Sequence, residues 1–392
     1  MFPEKTQAWG RARSCIRELA EYGAVRKREI GAENVYDFSL GNPNIPSPDC
    51  VNEAIVDLIR EKTPNLHNYT TAAGILPLRE KIAENVNRQF GLQIGVNNIY
   101  VTCGAAAGLA LVTRALLMPG EEVICPAPFF PEYRVFTEAS QGTLVITPPR
   151  ADMQIDLDAV RAALTEKTKA MIINSPNNPS GVIFDEDNLR GLADILREHK
   201  KTTGNTVYLI SDEPYRDLVY DGAVAHSGVE FYDDAIMCYS FSKCLSLPGE
   251  RIGYVAVSNR MANAAEVYAG IMGAGRALGY VNPPSLFQRV IERCLGATSD
   301  IEKYRENRDL LCSGLREMGY EFEMPKGAFY LFVKAPGGDA KAFSEAAKRH
   351  ELLIVPSNDF GCPGYVRISY CVAHDMIERS MPAFRALIGE YK

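Results

Sequence analysis

Ser240-Phe-Ser-Lys243, with Arg251 eight residues later inside Gly249-Glu-Arg-Ile-Gly253, sets an amine, a hydroxyl and a guanidinium close together in sequence. An amine can condense with an aldehyde, while a hydroxyl and a guanidinium can hold a phosphate. Together they would anchor a phosphorylated aldehyde. The preceding run Ala235-Ile-Met-Cys-Tyr-Ser240 reads as a short buried strand, so Lys243 lies just past its end, where a loop can present it. Two other readings stand beside this one. A lone lysine is ordinarily a solvated surface group, and Ser-x-x-Lys also occurs in serine acyl-transferases. Those enzymes carry Lys-Thr-Gly and Ser-Asp-Asn motifs, whereas this chain has only Lys201-Thr-Thr-Gly204 and Ser211-Asp-Glu213.

Further groups fall at other strand ends. Asp212 follows Tyr208-Leu-Ile210, with Tyr215 three residues on. A buried carboxylate requires a cation, such as a protonated ring nitrogen, although an Asp capping the turn at Pro214 is an equally ordinary arrangement. Asn174-Ser-Pro-Asn-Asn-Pro-Ser-Gly181 crowds turn-forming residues after a strand, and an asparagine there can donate to a ring oxygen and to a substrate carboxylate. Thr102-Cys-Gly104-Ala-Ala-Ala107 opens a helix whose first N–H groups suit a phosphate. Pro126-Ala-Pro-Phe-Phe-Pro-Glu-Tyr133 offers Phe130 for stacking on a flat ring or for plain core packing. The fork of Arg367 suits a carboxylate, although an arginine on a strand commonly points to solvent.

The elements that must position these groups read as an α/β chain. The runs 98–102, 122–125, 143–146, 170–173, 207–210 and 236–239 are short and apolar on both faces, as in a covered, mostly parallel sheet. Helical patterns at 105–117, 156–163 and 187–200 separate them. Beyond residue 285 the texture changes to helices at 285–295 and 300–318, then strands at 328–333 and 365–369. The expected division is a large domain over 46–284 and a smaller α+β domain built from 1–45 and 285–392.

Composition narrows the classes further. A chain of 392 residues with net charge −7 and no basic run denser than Arg26-Lys27-Arg28 gives no electrostatic footprint for nucleic acid. Ten cysteines without a Cys-x-x-Cys pair and five histidines off metal-ligand spacing point to free thiols and no metal centre. The N-terminus lacks a secretory pattern, and no apolar run reaches the roughly 18 residues of a membrane span. A cytoplasmic protein with no membrane partner is expected.

The ordered series Gly41-Asn-Pro43, Tyr69…Gly74-Ile-Leu-Pro-Leu-Arg79, Gly104, Pro128-Phe-Phe-Pro-Glu-Tyr133, Asn178-Pro-Ser-Gly181, Asp212-Glu-Pro-Tyr215, Ser240-Phe-Ser-Lys243, Arg251 and Arg367 resembles the class I aminotransferases of the aspartate aminotransferase superfamily, and covers roughly residues 36–370. The resemblance implies pyridoxal 5'-phosphate on fold type I: a large domain with a mostly parallel mixed sheet covered by helices, plus a smaller α+β domain. It implies Lys243 as covalent anchor and proton shuttle, Asp212 at the ring nitrogen, and Asn178 and Tyr215 at the ring oxygen. Phe130 would stack on the ring. Ser240, Arg251 and the N–H groups of Ala105 and Ala106, in the turn at Gly104, would hold the phosphate. Arg367, with Asn178 and the Gly41 backbone, would orient an amino acid or 2-oxo acid. Tyr69 would reach the phosphate of a neighbouring subunit, which implies a homodimer with shared active sites.

The sequence departs from the family pattern in places. Ser180 replaces the usual threonine, Phe130 replaces the Trp or Tyr of many members, and Ala106 and Ala107 stand where several have polar residues. Arg276-Ala-Leu-Gly-Tyr280-Val-Asn-Pro-Pro284 resembles the run that binds a distal carboxylate from the other subunit, with its arginine one residue further upstream, about 100° around a helix. An aspartate-like dicarboxylic donor and 2-oxoglutarate as acceptor are the expectation. The alternatives are an alanine or aromatic aminotransferase, a C–S β-lyase or decarboxylase on the same fold, and a non-enzymatic cofactor-binding regulator.

Overall fold

Buried alternation builds the centre of the molecule. In the computed structural model, which describes residues 3–11 and 14–392, twelve strands form: β1 (Tyr36–Asp37), β2 (Ile99–Thr102), β3 (Glu122–Pro126), β4 (Thr143–Thr147), β5 (Thr168–Asn174), β6 (Tyr208–Asp212), β7 (Ala235–Ser240), β8 (Gly253–Val257), β9 (Tyr330–Lys334), β10 (Leu352–Leu353), β11 (Val355–Pro356) and β12 (Tyr365–Ser369). Seven of them make one sheet in the order β2-β8-β7-β6-β5-β3-β4. Strands β3 to β7 run parallel, and β8 runs antiparallel to both β2 and β7.

Successive residues feed opposite cores, as the period of a strand requires. Met171 and Ile173 join the apolar cluster on one face of β5, and Ala170 and Ile172 join that on the other. Helices cover both faces, among them Gly104–Leu116, Glu186–Thr203 and Ala264–Leu278. This is the α/β architecture expected of the chain, with two differences of detail. β8 is a seventh strand, which begins on Gly253, the last residue of the Gly249–Gly253 motif. β4 is an edge strand and not a central one, so Thr143 and Ile146 are exposed while Leu144 and Thr147 are buried.

Chain crossings join the two ends of the sequence. β1 pairs in parallel with β10, and β11-β12-β9 form an antiparallel sheet with Arg367 opposite Phe332 and Val355. The helices Ile301–Met318, Ala340–Lys348 and His374–Gly389 accompany these strands. Among the described residues no helix is long and apolar enough to cross a membrane, and no group of three or more His, Cys, Asp or Glu side chains could hold a metal ion.

Candidate active site

Three parallel strands deliver the site. Asn174, Asp212 and Ser240 end β5, β6 and β7, and the register pairs Asn174 with Asp212. In an open α/β sheet the carboxyl edge is where ligands bind. A cavity of ≈ 290 Å³ lies here. Gly41, Ala105, Ala106, Phe130, Asn178, Asp212, Tyr215, Ser240, Lys243, Arg251 and Arg367 all line it, so segments hundreds of residues apart converge on one cavity.

Lys243 sits on the short helix Phe241–Cys244, which Ser240 caps by accepting from the Ser242 N–H at 3.3 Å. Its Nζ donates to the Gly41 carbonyl at 2.8 Å and lies 5.4 Å from the Phe329 ring centre. Burial lowers its pKa to about 8, with Arg367 and Arg251 adding to the effect against an opposing pull from Cys371. A neutral amine is therefore far more accessible than on an ordinary lysine.

Asp212 is buried, and burial is the main cause that raises its pKa to about 7; the Tyr133 hydroxyl, donating to Oδ2 at 2.5 Å, opposes this, and neighbouring Glu213 adds to it. Its Oδ1 is buried without a partner. A protonated ring nitrogen is the kind of donor that would satisfy it. At the opposite end, Gly104 adopts φ +81°, and a Cβ there would stand 2.7 Å from Arg251 Nη2. The first turn of Gly104–Leu116, where helical N–H groups lack intrahelical partners, thus lies against a guanidinium and lines the same cavity as two serine hydroxyls. Arg251 donates to Ser242 Oγ at 3.4 Å and to the Pro248 and Cys103 carbonyls at 3.0 and 3.2 Å, and Ser242 Oγ is 2.8 Å from Ser240 Oγ. These residues fit a phosphate at one end and a ring nitrogen at the other.

Arg367 is buried between the rings of Tyr330 and Phe360, 4.5 and 5.3 Å from their centres. Its Nη1 donates to Asn178 Oδ1 at 3.0 Å and its Nη2 to the Ser39 carbonyl at 2.6 Å, while Nε has no partner. The Tyr215 and Tyr330 hydroxyls are 2.9 Å apart. Phe130 meets Tyr133 edge to face, with ring centres 5.7 Å apart, which fixes the orientation of its own ring.

Two expected residues stand elsewhere. Tyr69 is 95% exposed, in a shallow pocket with Thr70 and Asn282, and Arg276 is exposed in the last turn of Ala264–Leu278. The structure in turn adds Tyr133, Asn174, Ser242, Tyr330 and Ile16 to the site. Ser242 and Asn174 lay within the motifs already singled out. Tyr133 closes the motif Pro126–Tyr133 and lies in the first turn of the helix Glu132–Ala139, which follows Phe130. Tyr330 and Ile16 carry no local signal.

Residues 32–384 match the family model described as aminotransferase class I and II. The chain resembles a probable aspartate/prephenate aminotransferase of Thermus aquaticus, 33% identical over 92% of this chain and 93% of that protein. It resembles the aspartate aminotransferase of Pyrococcus horikoshii at 30% identity over 96% of this chain and 95% of that one. A solved aminotransferase structure from Eubacterium rectale superposes with TM-score 0.97 at 49% identity, over 100% of this chain and 99% of the other. The chain belongs to the class I and II aminotransferases and is a transaminase, acting between amino acids and 2-oxo acids. In general, enzymes of this family work with pyridoxal phosphate.

Proposed function

We propose that the cavity binds pyridoxal 5'-phosphate and moves an amino group from an aspartate-like dicarboxylic L-amino acid to a 2-oxo acid such as 2-oxoglutarate, in a ping-pong cycle. The observation that carries this reading is the pair formed by a buried lysine of lowered pKa and, in the same cavity, a buried carboxylate with one oxygen unpartnered. When bound, the cofactor supplies an electron sink for the carbanion that forms at the substrate Cα.

The chain's own residues do the rest. Lys243 would hold the cofactor covalently, and its Nζ is the base placed to take a proton from the substrate Cα. In the cofactor-free cavity its pKa of about 8 leaves roughly a tenth of the amine unprotonated at neutral pH, against less than a thousandth for an ordinary lysine. Asp212 would keep a proton on the ring nitrogen, and Asn178 and Tyr215 would serve the ring oxygen. Ser240, Ser242, Arg251 and the N–H groups of Ala105 and Ala106 hold the phosphate. Phe130 covers one ring face. Arg367 turns its fork to the substrate α-carboxylate, and its unpartnered Nε and its contact with Asn178 support that role.

Lys243, Arg251 and Arg367 are the cations that line the cavity among the described residues, and each already has a task. A distal substrate carboxylate therefore needs a cation from outside. Exposed Arg276 of a second copy is our candidate, with exposed Tyr69 reaching that copy's phosphate site, in a homodimer that shares its sites. The names of the relatives, aspartate and aspartate/prephenate aminotransferase, favour the dicarboxylic donor. In this reading 46–284 form the large domain, and 1–45 with 285–392 form the small one.

The test mixes purified holoenzyme with each L-amino acid in turn and follows loss of the bound cofactor's absorbance. Aspartate and glutamate are expected to convert it fastest. A panel led by alanine or an aromatic donor would reject the dicarboxylic preference, and pyruvate or ammonia released without any oxo acid would reject amino transfer.

A further inference from the structure

The turn after β6 faces two ways. Asp212 and Tyr215 line the cavity, whereas Glu213 and Arg216 are buried outside it, at 0% and 5% exposure. There they meet each other, with Arg216 Nη1 3.1 Å from Glu213 Oε2. Every element around this pair supplies a partner. Ser227, the cap of Gly228–Phe231, hydrogen-bonds the Glu213 carboxylate. Tyr254 on β8 accepts from Arg216 Nη2 at 3.0 Å. Tyr239 on β7 and Phe90, at the end of the helix Leu76–Phe90, flank the guanidinium at 4.3 and 5.2 Å. The Glu213 N–H donates to the Cys238 carbonyl at 2.8 Å, which ties the same residue into the sheet.

We propose that Glu213 and Arg216 are positioning residues for the transamination: their buried ion pair locks the turn that aims Asp212 and Tyr215 into the cavity, and it balances the charge behind Asp212. Here Asp212 and Glu213, adjacent at the end of β6, face opposite ways, so fixing the outward carboxylate helps to fix the inward one. An isolated buried carboxylate or guanidinium would drag the turn towards solvent, and the pair removes that pull. Asp212 is faced by Tyr133 from the helix Glu132–Ala139, by Cys125 from β3, by Cys238 from β7, by Tyr215 and by Glu213. Of these, Glu213 is the other carboxyl, and its coulombic effect adds to what raises the Asp212 pKa. Around Arg216 lie Glu213, Asp217, Tyr239 and Tyr254. Changing either partner therefore changes the charge that Asp212 feels.

The proposal rests on the reading that Asp212 meets the cofactor ring. Its test titrates the full apo chain with pyridoxal 5'-phosphate from about pH 5 to about pH 9, and melts each apo chain over the same range. Wild type, Glu213→Gln, Glu213→Asp and Arg216→Met are compared. Glu213→Gln removes the negative charge behind Asp212 and leaves Arg216 with Asp217 alone as a carboxylate neighbour, so the acid limb of cofactor affinity moves down by about half a pH unit or more. Glu213→Asp keeps the charge and returns the limb to its wild-type place.

In Arg216→Met, Glu213 loses its cation. Its carboxyl, already held above the ordinary value mainly by burial, rises further. An acid with a raised folded pKa loses native stability as pH climbs from its unfolded value towards the folded one. The melting temperature of this variant therefore falls more steeply with pH than that of wild type. An acid limb unmoved in Glu213→Gln, or an Arg216→Met melting profile parallel to wild type, overturns the proposal. If wild type itself takes up no cofactor, the reading of the cavity fails instead, and the melting comparison still decides the ion pair.

Discussion

The Tyr133 hydroxyl is the contact whose removal has the most calculable effect. It donates to Asp212 Oδ2 at 2.5 Å, both groups are buried, and Oδ1 has no partner. Tyr133→Phe keeps the ring against Phe130 and deletes only the donor. A hydrogen bond to an ionised group contributes about 1.5–3 kcal/mol, and one pH unit corresponds to about 1.4 kcal/mol, so the Asp212 carboxyl should bind its proton more tightly by roughly one to two pH units. Asp212 starts from about 7 in the cofactor-free chain, far above the 3.8 of an exposed Asp, chiefly because of burial.

The sign follows from linkage. Native Asp212 holds its proton more tightly than the unfolded chain does, so its contribution to stability is greatest at low pH. That contribution is lost as pH rises from about 3.8 to about 7, then stays flat. In Tyr133→Phe the loss continues for a further one to two pH units, and the variant ends about 1.5–3 kcal/mol less stable than wild type on the alkaline side. Below about pH 6 the neutral carboxyl barely distinguishes the two chains. Urea unfolding of both apo proteins at stepped pH measures the difference. A gap of the same size at all pH values would mean that the hydroxyl acts on packing alone, and would refute this account of Asp212.

Lys243→Ala should abolish multiple turnovers while leaving the fold intact, and repeated amino transfer by that variant, followed by product formation over time, would remove Lys243 from its role. In Gly41→Ala the added Cβ would lie 1.8 Å from the Tyr330 hydroxyl, which pairs with Tyr215, while the carbonyl of residue 41 accepts from Lys243. Displacing these groups by about 1 Å should lower kcat/KM about 100-fold; steady-state kinetics within 3-fold of wild type would show that the segment yields without cost to the site.

What could be seen in the sequence followed from burial and chain direction. Strands covered on both faces advertise themselves as apolar runs, so edge strand β2 was legible along with β3 and β5 to β7. The groups that leave those strands at the carboxyl edge, Asn174, Asp212 and Ser240 with Lys243 beyond, sit where a polar residue interrupts the run. β8 was hidden because Gly253-Tyr-Val-Ala-Val257 begins on a motif glycine and runs against its neighbours, and direction leaves no trace in composition. A different obstacle concealed Tyr330. On a strand of buried apolar residues a tyrosine reads as core, and only the register of β9 against β12, together with the approach of Gly41, brings its hydroxyl to Tyr215.

The same obstacle applies with more force to Glu213 and Arg216. In the string Asp212-Glu-Pro-Tyr-Arg-Asp217, four charges surround one tyrosine, and nothing in the residue types says which charge faces a ligand and which faces a buried counter-charge. The distinction belongs to the walls around the turn. Asp212 meets a hydroxyl on one oxygen and no partner on the other, while Glu213 meets a guanidinium and a serine. A buried charge whose partners are complete stabilises a shape; one left with an open lone pair is held ready for something that has yet to bind. That criterion is why we propose Asp212 as the functional carboxylate of the turn and Glu213 as the residue that aims it.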